Sequence, residues 1–123
     1  LSLCRKLKSY GRTVCLITDQ RSNHFSGLKE FDEVFIRSMH HKAPFIGRLM
    51  LYLSVVWQTL YCYWLYRKLR PTLVVGFGGY PSIPPLLAAQ LRGIPTVVHE
   101  QNAILGKANR LLAKRAYRVA TSF

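Results

Sequence analysis

The chain is 123 residues long, room for one domain of ordinary size and not for two. Half of it is hydrophobic (50%) and 19% is charged, which excludes a disordered segment. The 18 Lys and Arg against 5 Asp and Glu leave a formal charge of +13, which calls for an anionic partner, either nucleic acid or the phosphates of a lipid or nucleotide.

The chain opens with Leu1, Cys4 and Leu7 on one side of a helix and Arg5, Lys6 and Lys8 on the other, ending at Tyr10-Gly11. Starting inside an amphipathic helix and stopping straight after a strand-like run at Thr121-Ser122-Phe123, it reads as a segment of a longer protein. Thr13 to Thr18 is a short apolar run of the kind found in buried parallel strands. Asp19 to Lys29 is polar and turn-like, Glu33 to Arg37 is a second strand, and Ser38 to Pro44 is a loop carrying His40, His41 and Lys42. A long helix from about Phe45 to Leu69 is stopped by Pro71, which pushes its predecessor out of the helical region. Thr72 to Gly76 is a third strand, and a glycine loop leads to a helix over about Pro81 to Leu91, capped by Gly93. Pro95 to Val98, Lys107 to Lys114 and Tyr117 to Ala120 read as strand, helix and strand. Such alternation predicts an α/β fold, a Rossmann-like parallel sheet with helices on both faces and ligands at the carboxyl ends of its strands.

Cys4, Cys15 and Cys62 have no metal-ligand spacing, and their odd number argues against a disulfide scaffold. The charge is uneven. Residues 1–33 hold six basic and four acidic side chains, whereas residues 34–123 hold twelve basic and one acidic. With no zinc-ligand set and no aromatic RNA-binding motif, charge alone speaks for nucleic acid.

Leu49 to Tyr66 is eighteen residues without a charge. Ser54, Gln58 and Thr59 interrupt it, and its Tyr and Trp residues favour interfaces over bilayer centres, so a membrane span is not expected. One core-facing stripe uses only part of the circumference, and the apolar surplus includes Trp57 and Trp64 beside Arg67 and Lys68. Aromatics with basic flanks suit a helix lying on an anionic membrane surface, in preference to pure core packing or an oligomer contact.

Two polar motifs follow strands. In Gly76-Phe77-Gly78-Gly79-Tyr80-Pro81-Ser82 the amides of Gly78, Gly79 and Tyr80 would lie near a helix N-terminus, where phosphate binds; a plain tight turn is the alternative. In His99-Glu100-Gln101-Asn102 the lone acid of the last ninety residues could orient a base, accept a substrate hydroxyl or pair with an arginine. Gln101 and Asn102 can hydrogen-bond a sugar or loop backbone, and with Ala103 in place the HExxH zinc pattern is absent.

The stretch GFGGYPSIPPLLAA (Gly76 to Ala89), followed by GIPTVVHEQNAILGKANRLLAK (Gly93 to Lys114), resembles glycosyltransferase family 28. Its members of this type have the GT-B fold and add N-acetylglucosamine to lipid I, undecaprenyl-pyrophosphoryl-MurNAc-pentapeptide. The likeness is near-continuous from about Arg70 to Phe123, while the part before Arg70 fits in pattern only. It implies an incomplete N-terminal acceptor-binding domain over 1–123, lacking the first strand and first glycine loop, with the C-terminal donor-binding domain absent. It also implies that Gly78, Gly79 and Tyr80 bind the acceptor diphosphate and that Asn102 contacts UDP-GlcNAc. His99 and Glu100 line the same cleft as catalytic candidates, with the main candidate base upstream. No metal or other cofactor is implied, and nucleic acid drops out as a partner. The implied location is the cytoplasmic face of the bacterial inner membrane, held peripherally, and this chain alone would be inactive. A non-catalytic membrane-anchoring subunit of a split UDP-GlcNAc transferase is the second reading.

Overall fold

A computed structural model describes residues 2–19, 32–36 and 46–122. The predicted loops over Asp19 to Lys29 and Ser38 to Pro44 lie almost wholly outside them. The chain forms two compact units, Leu1–Ser38 and Met39–Phe123.

In the first unit helix α1 (Ser2–Ser9) is followed by strands β1 (Cys15–Asp19) and β2 (Asp32–Ile36), which pair in parallel with Cys15 opposite Asp32. Cys4 is the buried point of α1. The helix closes as predicted: Gly11 has φ +77°, its N–H donates to the Lys8 carbonyl and the Arg12 N–H to the Leu7 carbonyl, the paired bonds of a glycine C-cap.

The second unit contains α2 (Ile46–Leu69), β3 (Val74–Gly76), a 3-10 turn (Tyr80–Ser82), α3 (Ile83–Leu91), β4 (Thr96–Glu100), α4 (Lys107–Ala113) and β5 (Arg118–Thr121). Its strands lie in the order β3-β4-β5, all parallel, with Gly76 opposite Val98 and Val98 opposite Val119. Alternation along β4 turns Thr96, Val98 and Glu100 to a buried side and leaves Val97 and His99 half-buried. Ile83, Leu86, Val98 and Leu112 form the core, so α3 and α4 both cover the Val98 face.

Gly76 has no side chain because there is no room for one: a Cβ there would run into Leu86. β3 is shorter than predicted. Arg70 takes the left-handed conformation (φ +48°) after α2 and donates its N–H to the Tyr66 carbonyl, and the chain through Pro71, Thr72 and Leu73 has yet to join the ladder. The helix predicted from Pro81 starts as a 3-10 turn, because Pro84 and Pro85 lack the N–H groups of a first α turn; the Ile83 N–H donates to the Tyr80 carbonyl.

The main partner of the long helix α2 is α3. Val55, Thr59, Cys62 and Tyr66, spaced i, i+4, i+7 and i+11, form its packed stripe, and the Tyr66 hydroxyl donates to the Pro85 carbonyl at 2.9 Å. Displaced by two residues, hence about 200° around the helix, Leu53, Trp57, Leu60 and Trp64 form an exposed stripe on the opposite face. The polar interruptions turn inward to their own helix: Gln58 donates to the Ser54 hydroxyl and Thr59 to the Val55 carbonyl. Burial pushes the Cys62 thiol up to about 11.

Candidate functional site

Both polar motifs leave the carboxyl ends of neighbouring parallel strands, β3 and β4. The glycine loop rises first. Gly78 (φ +87°) and Gly79 (φ +77°) are both left-handed, a conformation glycine adopts without cost. The Gly79 carbonyl accepts twice, from the Ser82 N–H at 3.2 Å and the Ser82 hydroxyl at 2.7 Å, which folds the loop over the start of the 3-10 turn. Among the described residues nothing accepts a hydrogen bond from the N–H of Gly78, Gly79 or Tyr80. Tyr80 is exposed. Pro81, Pro84 and Pro85 remove donors from the helix start, so an anion here would meet loop amides first and the helix dipole second.

The second motif is organised by Glu100, which is only 4% exposed. Its Oε1 accepts from the Asn102 N–H (3.0 Å) and from Asn102 Nδ2 (3.1 Å). Its Oε2 accepts from the Gly106 N–H (3.0 Å) and from Asn109 Nδ2 (2.9 Å). The Asn102 and Gly106 amides, followed by Asn109, hold the carboxyl far below its usual range, at about 2. Among the described residues Glu100 thus pairs with no arginine. It ties down the loop over residues 101–106 and caps α4 from the strand side, at a position where Gly106 has no side chain to do so. An ionised carboxylate with four donors is a weak proton acceptor, so its role is to anchor the loop.

The structure separates the two catalytic candidates. Glu100 faces α4, whereas His99 projects from the other side of β4, with its ring 5.5 Å from that of Phe77. The His99 Nδ1 is buried and has no partner among the described residues. The two side chains therefore leave β4 on opposite sides. Asn102 is exposed, its backbone N–H and Nδ2 are turned to the carboxylate, and its Oδ1 accepts from no side chain among the described residues.

Asn109 carries a role that the motif reading missed. It is 2% exposed, its Nδ2 also approaches the His99 carbonyl at 3.4 Å, and a Cβ on Gly78 would lie 3.1 Å from that same nitrogen. The signal lay in the helical period: Asn109 shares the core face of α4 with Leu112, and a buried amide needs a partner. Trp57, Trp64, Arg67 and Lys68 are all exposed on α2, with the Arg67 guanidinium 5.1 Å from the Trp64 ring centre. Among the described residues no three His, Cys, Asp or Glu side chains group together as metal ligands.

The parallel α/β order, with loops leaving the carboxyl ends of β3 and β4, defines a Rossmann-like unit. The chain belongs to glycosyltransferase family 28: the model of its N-terminal domain matches residues 1–121. It is 43% identical over 113 residues to a Nitrobacter hamburgensis protein named UDP-N-acetylglucosamine--N-acetylmuramyl-(pentapeptide) pyrophosphoryl-undecaprenol N-acetylglucosamine transferase, covering 89% of this chain and 30% of the relative. It is also 43% identical to the protein of that name from Rhodospirillum rubrum, over 99% of this chain and 32% of the relative. The crystal structure of Acinetobacter baumannii MurG superposes with a TM-score of 0.83 at 26% identity, covering 99% of this chain and 36% of that one. The chain spans about a third of the length of the curated relatives it matches.

Proposed function

We propose that the protein containing this chain transfers N-acetylglucosamine from UDP-GlcNAc to the MurNAc 4-hydroxyl of undecaprenyl-pyrophosphoryl-MurNAc-pentapeptide, a step of peptidoglycan synthesis. This chain is its acceptor-side domain, and a donor-binding domain completes the GT-B cleft. The observation that carries the reading is the row of Gly78, Gly79 and Tyr80 amides without an acceptor among the described residues, on the loop next to the one that bears the exposed Asn102. The amides suit the acceptor diphosphate and the Asn102 side-chain carbonyl suits a hydroxyl of the donor sugar. In the reaction the 4-hydroxyl oxygen attacks the anomeric carbon from the face opposite UDP, the bond from that carbon to the diphosphate oxygen breaks, and configuration inverts. The hydroxyl proton passes to a base other than Glu100, whose carboxylate is committed to its loop. No metal enters this reading.

The exposed α2 stripe, with Arg67 and Lys68 at its end, supports peripheral docking on the anionic cytoplasmic face of the inner membrane, where the lipid acceptor is held. Among the described residues no helix is long and apolar enough to cross a membrane. The test is transfer of labelled N-acetylglucosamine by the full-length protein to lipid I in detergent micelles. Label in the lipid fraction that depends on lipid I is expected; transfer to diacylglycerol instead, or none at all, refutes the reading.

A further inference from the structure

We propose that Asn109 is a positioning residue that locks the Gly78 loop and the Asn102 loop into one register, so that a disturbance at one ligand subsite is felt at the other. The identity of the two ligands rests on the function proposed above; the coupling itself does not.

The contacts form one continuous path. Gly78 lies against the Asn109 carboxamide so closely that a Cβ would sit 3.1 Å from Nδ2 and 3.7 Å from Oδ1. That Nδ2 donates to Glu100 Oε2 at 2.9 Å. The other carboxylate oxygen holds both the backbone and the side chain of Asn102. The Gly78 backbone and the Asn102 side chain are thus separated by one buried amide and one buried carboxylate, and neither of those two groups is exposed to a ligand.

The chemistry of position 109 is restrictive. The carboxylate can only accept, so the amide must turn Nδ2 toward it, which leaves Oδ1 on its other side. Oδ1 is buried and has no donor among the described residues. An aspartate would set a second negative charge against Glu100 and lose the donor. Leucine would fill the space but release the Glu100 Oε2 bond, and alanine would leave both loops without a common stop. Only a short neutral side chain with an N–H donor meets Glu100 on one side and a bare glycine backbone on the other.

The test uses the full-length protein and two variants, Asn109→Ala and Gly78→Ala, with two readouts. Amide hydrogen exchange is followed at Asn102 and Gly106, whose N–H groups end on Glu100. Both variants are expected to speed it by about tenfold, including Gly78→Ala, which lies on the other loop. Steady-state kinetics should show the KM for UDP-GlcNAc raised by a similar factor in both variants, and the KM for lipid I raised in Asn109→Ala. A residue needed only for folding would reduce the active fraction and leave both KM values alone. Unchanged exchange at Asn102 and Gly106, or a fall in kcat with both KM values intact, overturns the proposal. If Asn109→Ala is insoluble, Gly78→Ala decides alone, because it leaves the core of α4 untouched. Absence of transfer by the wild-type enzyme would refute the proposed function, and the exchange result would still decide the coupling.

Discussion

The exposed stripe of α2 makes a quantitative prediction about membrane affinity. Trp57 is 74% exposed and Trp64 59%, and both lie opposite the stripe that packs on α3. A tryptophan side chain can bury roughly 200 Å². A helix lying in the headgroup layer would cover about half of what Trp57 now exposes, on the order of 80 Å². At about 25 cal/mol per Å² this is ~2 kcal/mol, or about 30-fold in partition coefficient for Trp57→Ala. Trp64→Ala should cost slightly less by area, and more where its loss also frees Arg67 from the ring it covers at 5.1 Å. The charged end contributes differently. Each of Arg67 and Lys68 near an anionic leaflet adds about 1 kcal/mol, so Arg67→Gln or Lys68→Gln should weaken binding about fivefold. That loss should vanish on neutral vesicles and shrink with salt, because the Debye length falls to about 3 Å at 1 M. The tryptophan loss should persist on both. The assay is sedimentation of the full-length protein with extruded vesicles, with and without phosphatidylglycerol. Wild-type binding by the Trp57→Ala, Trp64→Ala double variant would refute the assignment of this face to lipid, and equal charge effects on neutral vesicles would refute the electrostatic half.

The remaining predictions concern the anchor and the core. Glu100 is ionised in the fold down to about 2, below the ordinary 4.5, so its contribution is complete above about pH 4.5 and is lost as pH falls toward 2. Glu100→Gln should therefore be less stable than wild type at neutral pH, with the gap between their urea midpoints closing over that acidic window; a constant gap would contradict the bonding described. At Gly76, alanine should destabilise by about 1–3 kcal/mol, because the new Cβ meets Leu86. Leu86→Ala alone should cost about 2–5 kcal/mol, and the double variant clearly less than the two costs added, as read from chemical denaturation; strict additivity would mean that the two positions do not meet.

The parts of this fold legible in the sequence were those with a local cause. Gly11 and Gly93 ended helices where each was expected to, and Gly93 shows why: its N–H reaches the Gln90 carbonyl while the Ile94 N–H reaches Ala89, bonds that need only a left-handed residue at that position. Short apolar runs located the five strands found among the described residues to within two residues of their ends. What was not legible depended on which surface met which. The eighteen uncharged residues of α2 announce a helix with apolar surplus, yet nothing in their order says that its packed stripe meets α3. What marks that choice is the Tyr66 hydroxyl bond to the Pro85 carbonyl of α3.

Glu100 shows the same limit within the site. A single acid among twelve basic residues invites a reading as an ion pair or as a catalytic base. The structure instead surrounds it with neutral N–H donors, two from the backbone and two from asparagine side chains. A salt bridge would have fixed the carboxylate to one flexible side chain, and four short donors fix it at once to the turn after β4, to Gly106 at the start of α4 and to the first turn of α4. Neutral donors also leave the surrounding positive charge uncompensated. That charge is then available to the phosphates of a lipid diphosphate, a nucleotide sugar and an anionic bilayer, all of which meet this part of the protein in the function proposed for it.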